Sequence, residues 1–393
     1  MPRFALDRPP GAVPRRVALL TNFLPPYRIR MLEMLAGGLH ELRIFVSVKM
    51  EGNRDWTPDW GTLDVTVQRN VSFAKTFGQA GTFREHSTIH VPWDTIPQLA
   101  LCDPDVVIAA EFGMRTVQAA LYCWLYSKPL IVWATLSEVT ERHRGRMRDR
   151  LRRVLVHFVT RVLVNGTSGA RYIAGLGFPS THIHLVPQAT DNAIFAGSAE
   201  RAPGDVTRLL YTGQLIERKG LDRMHAALCR WCDAHPDRRI HWTLVGGGPL
   251  RESIAVWEGP ANYELQLIDA LPFGELAAQY RAADLYVLPT LADEWGLVVN
   301  EAMIAGLPVL GSLASQAVLD MVVDGISGWT FDPDQATEVD RAVSRALSAT
   351  AQELDTMRLA AIETASPLDQ RNMADRILIA IKAAALSEAE PTA

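Results

Sequence analysis

Cysteine is scarce in this chain, with four residues among 393. So few cysteines do not make the disulfide framework of a secreted protein, and they fit a reducing compartment. Long apolar runs are missing as well, because no stretch approaches the roughly 18 apolar residues of a membrane-spanning helix. The arginine-containing N-terminus holds no long apolar segment of the kind found in secretory signals. We therefore expect a cytoplasmic protein whose contact with a membrane, if any, is peripheral.

Positive charge is not in excess either. The chain has 39 Lys and Arg residues against 44 Asp and Glu residues, for a formal net charge of −5. Nucleic-acid-binding domains usually carry a strong basic excess, so we expect no nucleic-acid partner. Hydrophobic residues make up 48% and charged residues 21% of the chain, which is typical of a packed globular protein. A length of 393 residues suits two domains.

Short β-branched runs alternate with helix-length amphipathic segments along the first half of the chain. We expect helices near residues 28–36, 115–126 and 145–160. Such alternation predicts a parallel sheet covered by helices on both faces. The predicted strands are 16–20, 41–48, 105–110, 129–134, 161–165 and 183–187.

The alternation breaks at residues 196–205, which are rich in Ala, Gly, Ser and Pro, and then starts again. We therefore predict two doubly wound, Rossmann-like α/β domains, residues 1–195 and 205–365, and a C-terminal helix within 366–393 that crosses back to the first domain. Ligands of such sheets bind beyond the carboxyl ends of the strands, so we expect the two parallel sheets to face each other across a cleft. The second set of predicted strands is 208–213, 241–248, 284–290 and 307–312.

The strongest chemical signal is an acidic turn that follows the strand ending near Pro289. The free N–H groups at the start of the next helix, Gly296-Leu297-Val298, suit a phosphate or a sugar oxygen. Glu301 lies one turn further, where a carboxylate can accept hydrogen bonds from the paired hydroxyls of a ribose. Asp293 can accept one from a sugar hydroxyl, but an acid at Asp293 or Glu294 is equally consistent with a simple helix cap.

Two other loops of the second domain give weaker signals. The segment Gly213–Gly220 contains Lys219, which can contact a diphosphate, although exposed basic residues on loops usually face solvent. The run Gly246-Gly247-Gly248-Pro249 lets a ligand approach the backbone closely. A plain strand-to-helix turn explains that run equally well. The loops after these predicted strands show no Asp-x-Asp-like metal site, so we predict that no metal is needed.

In this order and spacing, the three segments resemble the retaining GT-B glycosyltransferases of glycosyltransferase family 4, also called glycosyl transferases group 1. Members carry a glycine turn with basic residues, then Gly-Gly-Gly-Pro, then two acids separated by seven residues, as Asp293 and Glu301 are here. The resemblance is specific over residues 208–332 and diffuse over the N-terminal half. It implies a GT-B fold with a donor-binding second domain and a variable, acceptor-binding first domain.

The resemblance also implies roles for individual residues. Glu301 would hold the ribose, Asp293 the donor sugar, and Lys219 would neutralise the diphosphate, and we take these three as the catalytic candidates. Anomeric configuration would be retained, with no metal or other cofactor. The nucleotide base would meet backbone near Leu271. The other donor-binding candidates are Gly213, Gln214, Arg218, Gly247, Glu294, Trp295, Gly296, Leu297 and Val298.

Two positions depart from the family pattern. The first acid is usually Glu, and here it is Asp293, which is one methylene shorter. The usual arginine of the diphosphate loop is replaced by Gln214. Either Arg218 supplies the missing positive charge, or donor binding is weaker than in relatives.

A basic segment, Arg142–Arg161, lies within the first domain. Its arginines surround an apolar face formed by Leu151, Val154, Leu155, Phe158 and Val159. Such a segment is equally consistent with a helix that lies on an anionic membrane and with a packed helix whose solvated face is basic.

Polar residues that follow strands of the first domain are candidates for acceptor binding: Tyr27, Arg28, Glu111 and Glu138. The family resemblance implies an enzyme that moves a hexosyl unit from a UDP- or GDP-sugar to an acceptor, which we expect by the same analogy to be a lipid-linked or polysaccharide-precursor glycan. Two alternatives remain open. One is a nucleotide-sugar epimerase or hydrolase on the same fold, and the other is an inactive protein that only binds nucleotide sugars.

Overall fold

A computed structural model describes residues 15–51, 57–79, 83–142, 144–197 and 206–386. The described chain divides into two compact units. The first consists mainly of residues up to Pro187 together with Gln370 onward, and the second of Gln188–Asp369. The structure therefore separates the units at 187/188, and residues 188–195, which we expected in the first domain, belong to the second.

The first unit contains a seven-stranded, fully parallel sheet in the order β3-β2-β1-β6-β7-β8-β9, and a separate two-stranded sheet of β4 and β5. Its elements are β1 (Arg16–Thr21), α1 (Pro26–Gly37), β2 (Glu41–Val46), β3 (Asp64–Val67), β4 (Asn70–Gln79), β5 (Phe83–Pro92), α2 (Thr95–Cys102), β6 (Val106–Ala110), α3 (Met114–Tyr126), β7 (Leu130–Ala134), α4 (Glu138–Glu141), α5 (Arg146–Leu155), β8 (Arg161–Val164), α6 (Thr167–Gly175) and β9 (Ile183–Leu185).

Helices cover both faces of this sheet. On one face, side chains of α2, α3 and α5 pack in a single apolar cluster with the sheet residues Ala18, Val107 and Val132. The last helix, α15 (Gln370–Leu386), packs against α1 and against β6 to β9, although it follows the second unit in sequence. Strand order reverses between β1 and β6, which makes the carboxyl ends of these strands the expected ligand position.

The second unit contains a six-stranded parallel sheet in the order β12-β11-β10-β13-β14-β15. Its elements are α7 (Asn192–Phe195), β10 (Val206–Thr212), α8 (Leu221–Ala234), β11 (Arg239–Val245), α9 (Arg251–Ile254), β12 (Tyr263–Ile268), α10 (Phe273–Ala282), β13 (Leu285–Leu288), α11 (Leu297–Ile304), β14 (Val309–Ser312), α12 (Gln316–Met321), β15 (Gly328–Phe331), α13 (Ala336–Leu347) and α14 (Ala351–Ala365). Here the order reverses between β10 and β13, the strands that precede the Lys219 loop and the acidic turn.

The predicted strands all exist, with ends shifted by a few residues, and the doubly wound α/β class is confirmed. Five strands went unpredicted: β3, β4, β5, β12 and β15. The helix expected over 145–160 ends at Leu155 and continues only as a single 3₁₀ turn, Val156–Phe158. No described helix is long and apolar enough to cross a membrane.

Candidate functional site

The Lys219 loop and the acidic turn lie side by side at the carboxyl ends of β10 and β13. The carbonyl of Arg218 accepts hydrogen bonds from Leu291 N at 2.8 Å and from Thr290 Oγ1 at 3.2 Å. Gly220 adopts φ 62°, and a Cβ there would stand 2.5 Å from the Pro289 carbonyl oxygen. Glycine is therefore required at 220 to bring the two loops together.

Lys219 and Asp293, which are 74 positions apart in sequence, form a direct ion pair with Nζ 2.5 Å from Oδ2. Both side chains are 12% exposed. Arg218 donates from Nη1 to the Ala292 carbonyl at 2.7 Å and lies 3.8 Å from Asp293 Oδ1. Two basic residues thus converge on one carboxylate at the edge of the sheet.

Asp293 is ionised at neutral pH in this setting. Burial raises the pKa of its carboxyl, but Lys219, Arg218 and a hydrogen bond from the backbone of Trp295 outweigh burial and hold the pKa below its ordinary value. The cap of α11 is Gly296, and it has no side-chain cap hydrogen bond. Asp293 accepts a hydrogen bond from the backbone of Trp295, the residue that precedes this cap, and Glu294, whose side chain is 37% exposed, lies 4.0 Å from Arg218 Nη1.

The start of α11 combines an anchored indole with free amides. Trp295 Nε1 donates to Asn300 Oδ1 at 2.8 Å, and the Trp295 carbonyl accepts from Ser315 Oγ at 2.6 Å. The indole N–H and the carbonyl of Trp295 therefore both have partners within this chain. The N–H groups of Gly296, Leu297 and Val298 have no acceptor within the part of the chain that the structure describes. Such free amides at a helix N-terminus favour an anionic group.

Glu301 lies in α11 with 5% exposure. Its Oε2 accepts a hydrogen bond from Tyr280 Oη at 2.7 Å, and Tyr280 also contacts Thr212 Oγ1 at 2.7 Å. Burial raises the pKa of Glu301 to about 7, although the hydrogen bond from Tyr280 opposes that rise. The carboxyl therefore titrates close to neutral pH, which makes its protonation sensitive to a bound hydroxyl.

The glycine run after β11 packs against the loop after β10. Gly213 N donates to Val245 O at 3.0 Å, and Leu215 N donates to Gly247 O at 2.9 Å. A Cβ on Gly246 would stand 2.0 Å from Gly213 O, so this glycine is explained by contact with its own chain. A Cβ on Gly247 would meet nothing within 4 Å, which leaves that side of the run open.

Two further candidates lie around these loops. The backbone of Gln214 is held by Tyr211, whose Oη donates to the Gln214 carbonyl at 2.8 Å. Leu271 follows β12 and packs, partly buried, against the core of the unit. Its position leaves the backbone before α10 near the carboxyl ends of the sheet.

Comparisons with known proteins match this arrangement. A family model described as glycosyl transferases group 1 matches residues 206–349, which include the Lys219 loop, the glycine run and the acidic turn. The similarity to this family therefore lies within the second unit.

Relatives with similar sequences carry glycosyltransferase names. A 2-deoxystreptamine glucosyltransferase from Streptomyces kanamyceticus is 28% identical over 277 residues, which are 64% of this chain and 67% of that protein. A D-inositol 3-phosphate glycosyltransferase from Corynebacterium kroppenstedtii is 27% identical over 172 residues, 38% of this chain and 37% of that protein. The chain thus spans between about a third and two thirds of the length of these relatives.

Solved structures share the fold over almost the whole chain. Anabaena Alr3699/HepE in complex with UDP superposes with a TM-score of 0.68 at 16% identity and covers 92% of this chain and 98% of that one. Sucrose-phosphate synthase from Thermosynechococcus elongatus gives a TM-score of 0.68 at 16% identity, with 92% and 97% covered. The predicted GT-B fold class is confirmed.

In the first unit, Arg28 and Glu111 lie near the β1/β6 reversal. The Arg28 guanidinium lies 4.9 Å from the centroid of the Trp133 ring, and Glu111 Oε1 accepts from Thr135 N at 3.0 Å. Burial raises the pKa of Glu111 to about 7, and Arg152 and Arg28 oppose the rise. Glu111 adopts φ 62°, a conformation uncommon outside glycine that often occurs at functional positions.

The other two acceptor-side candidates have structural partners. Glu138 Oε2 accepts hydrogen bonds from Arg171 Nε at 2.9 Å and from Ser168 Oγ at 3.1 Å, so its carboxylate joins α4 to α6. The backbone carbonyl of Tyr27 accepts from Gln370 Nε2 at 3.0 Å, which joins α1 to α15. Their positions are explained without a ligand.

The apolar face expected on Arg142–Arg161 is divided in the structure. Leu155 and Val159 are buried, whereas Leu151, Val154 and Phe158 are 42%, 58% and 44% exposed. Arg152 is not a solvated residue. It is 1% exposed, with Nη1 2.7 Å from Glu141 Oε2 and 2.6 Å from Tyr172 Oη.

One sequence pattern bears on metal binding. An Asp-x-Asp sequence, Asp332-Pro333-Asp334, directly follows β15. We did not predict this strand, so the loop after it was not considered. Asp334 pairs with Arg223 Nη1 at 3.1 Å, and Asp332 Oδ1 accepts from Asp334 N at 3.0 Å. Among the described residues, no three His, Cys, Asp or Glu side chains are grouped so that they could hold a metal ion.

Several residues of the site carried no sequence signal. Tyr280 donates to Glu301 and also contacts Thr212. Asn300 accepts from Trp295 and donates to the Gln188 carbonyl at 3.1 Å. None belongs to a motif with a recognisable spacing, because α10, β10 and α11 meet only in the folded unit. The sequence signal that could have indicated Asn300 is its position directly before Glu301.

Proposed function

We propose that this chain is a retaining glycosyltransferase that moves a hexosyl unit from a UDP- or GDP-sugar to an acceptor hydroxyl. The observation that carries the proposal is the convergence of Lys219, Asp293 and the free amides of α11 at the β10/β13 reversal. A donor is favoured there because its diphosphate is anionic and its sugar offers hydroxyls. The UDP bound to the similarly folded Alr3699/HepE, and UDP-glucose in another structure of that protein, support a uridine donor.

The roles proposed in the second unit follow the contacts. Lys219, held by Asp293, supplies a positive charge to the diphosphate, and the amides of Gly296 and Leu297 donate hydrogen bonds to the same anion. Asp293 retains acceptor capacity for a sugar hydroxyl, since a carboxylate has about four lone-pair sites. Glu301 accepts hydrogen bonds from the ribose. Arg218, whose Nη1 lies 3.8 Å from Asp293 Oδ1, supplies the positive charge that Gln214 lacks.

In the proposed reaction, the bond between the anomeric carbon and the diphosphate oxygen breaks. The acceptor oxygen attaches to the same face of that carbon, and the departing phosphate oxygen takes the acceptor proton. Fixed positive groups stabilise the leaving charge, in the manner of preorganised electrostatic catalysis. The proposal needs neither a protein general base nor a metal ion.

Nucleotide binding and release test the proposal and separate its alternatives. We expect UDP or GDP to raise the Tm of the protein, and the matching donor sugar to release nucleotide only when a membrane or glycan extract supplies an acceptor. Release without an acceptor would indicate a hydrolase, and a changed sugar without release would indicate an epimerase. Binding without any turnover would indicate a nucleotide-sugar-binding protein.

We further propose that the acceptor is a lipid-linked or polysaccharide-precursor glycan and that the first unit binds an anionic membrane surface. Along α5 and the following turn, the exposed apolar residues are spaced four, three and four positions apart: Met147, Leu151, Val154 and Phe158. Arg150 and Arg153 are exposed beside them. On the same face of the sheet, α3 exposes three more apolar side chains: Leu121, Trp124 and Leu125. Apolar and basic side chains together favour the interface of an anionic bilayer.

Sedimentation with liposomes tests this surface. Each arginine near an anionic bilayer contributes on the order of 1 kcal/mol at low salt, so Arg150→Glu with Arg153→Glu should abolish most binding. Arg239→Glu with Arg341→Glu changes the net charge equally in the second unit and serves as the control. Binding should occur at low salt on anionic liposomes and be lost at high salt. Equal partition onto neutral and anionic liposomes, or none onto either, would contradict the proposal.

A further inference from the structure

A chain of buried hydroxyls leads to Glu301 from three other elements. Tyr280 Oη, from α10, donates to Glu301 Oε2 at 2.7 Å and accepts from Thr212 Oγ1, at the end of β10, at 2.7 Å. Thr212 Oγ1 is in turn 3.1 Å from Tyr286 Oη on β13. Both tyrosines have 0% exposure. Because Tyr280 uses its proton on Glu301, its oxygen is left to accept from Thr212.

Packing holds the Tyr280 ring in place independently of its hydroxyl. Its ring lies edge-on to Phe195, with centroids 5.5 Å apart, and stacks on Tyr286, with centroids 5.6 Å apart. The hydroxyl can therefore be removed with the ring left in position. Tyr286 is equally buried and joins the same chain of hydroxyls, but its hydroxyl bonds to Thr212 and not to Glu301.

We propose that Tyr280 is a positioning residue that fixes the Glu301 carboxylate, so that Oε1 is presented to the ribose hydroxyls of the donor. This proposal rests on the ribose-binding role of Glu301 proposed above. A carboxylate held through one oxygen loses the freedom to rotate, so less entropy is lost when a hydroxyl pair binds the other oxygen. The hydrogen bond from Tyr280 also favours the ionised carboxylate, which is the form that accepts from two hydroxyls.

The titratable groups that face Glu301, among the described residues, are Tyr280 from α10 and Tyr286 from β13. Burial raises the pKa of both phenols far above neutral pH, so neither ionises in the range in which Glu301 does. Nucleotide binding should therefore strengthen as Glu301 ionises with rising pH. Loss of the Tyr280 hydroxyl should move the midpoint of that rise to higher pH.

The test compares Tyr280→Phe with Tyr286→Phe, each measured by calorimetry against UDP and GDP and against their 2′-deoxy forms. We expect Tyr280→Phe to weaken binding of the preferred ribonucleotide roughly tenfold, because one hydrogen bond to a charged group is lost. The affinity for the 2′-deoxy form should stay within about twofold of the wild-type value. Tyr286→Phe should change both by less than about twofold. Thr212→Val, which removes the partner of Tyr280 Oη, should show the same ribose-specific loss in smaller size.

Two failures are distinguishable. If Tyr280→Phe weakens ribonucleotide and 2′-deoxynucleotide equally, or leaves the pH midpoint unchanged, while Glu301→Gln still discriminates between them, only the positioning role of Tyr280 is overturned. If Glu301→Gln itself fails to discriminate between the two ligands, the ribose-binding role is overturned and the positioning role falls with it.

Discussion

Replacing Glu301 with glutamine should stabilise the protein at alkaline pH while it removes activity. The pKa of the Glu301 carboxyl is raised from 4.5 to about 7, so the folded state binds a proton more tightly than the unfolded chain does. Stability from this group is therefore fully present below pH 4.5 and is lost as the pH rises to about 7. At about 1.4 kcal/mol per pKa unit, the ionised carboxylate costs the folded protein about 3 kcal/mol.

Glutamine has the same shape and no charge at any pH. Its amide oxygen can still accept the hydrogen bond from Tyr280. The stability advantage of Glu301→Gln over wild type should thus grow by about 2 to 3 kcal/mol between pH 5 and pH 8. For a unit of this size that corresponds to a difference in Tm of roughly 5 to 10 °C, which a thermal melt at each pH can resolve.

Activity should change in the opposite direction. The glutamine amide cannot accept from two ribose hydroxyls as a carboxylate can, and hydrogen bonds to a charged group contribute about 1.5 to 3 kcal/mol each. We therefore expect transfer to fall more than tenfold. Glu111→Gln is the matched control, because it removes a carboxyl from the first unit whose pKa is also raised to about 7. It should leave nucleotide binding unchanged.

The reasoning would be refuted by either of two results. One is transfer by Glu301→Gln within about tenfold of wild type, which is a loss of only ~1.4 kcal/mol. The other is a difference in Tm from wild type that stays constant from pH 5 to pH 8, which would show that the buried carboxyl does not titrate in that range.

Three further predictions concern Lys219, metal dependence and the buried Arg152. Lys219→Ala should weaken binding of UDP or GDP at least tenfold, whereas Lys219→Arg should recover part of that affinity; equal affinities for all three proteins would exclude a diphosphate contact. Transfer should survive EDTA, and a complete loss that manganese or magnesium restores would show that a metal stabilises the leaving group. Arg152→Met should cost about 3 kcal/mol in urea unfolding because it leaves the buried Glu141 carboxylate with Arg148, at 3.8 Å, as a weaker ion-pair partner, and Arg152→Met with Glu141→Leu should recover most of it. Full stability of the single variant would contradict the buried ion pair.

The alternating α/β pattern could be predicted from the sequence, because strand and helix periods depend on neighbouring residues. The acidic turn and the glycine loops could be predicted as well, since their residues are close in the chain. Composition explains why two of the unpredicted strands were missed. β15 starts at a glycine and spans four residues, and β12 alternates polar and apolar side chains without a β-branched run. Neither has the composition by which the other strands were predicted.

Which of these residues meet depends on how the strands assemble into the sheet. Lys219 and Asp293 are 74 positions apart and pair only because β10 and β13 are neighbours in the sheet. The folded unit likewise brings Tyr280 onto Glu301 and Thr212 onto Tyr280, and no local sequence pattern indicates either contact. The basic character of residues 142–161 also misled the prediction of which side chains face solvent. Arg152 lies in an arginine-rich segment, yet packing of α5 turns its side chain inward to Glu141, because burial depends on the direction in which a residue faces from its helix.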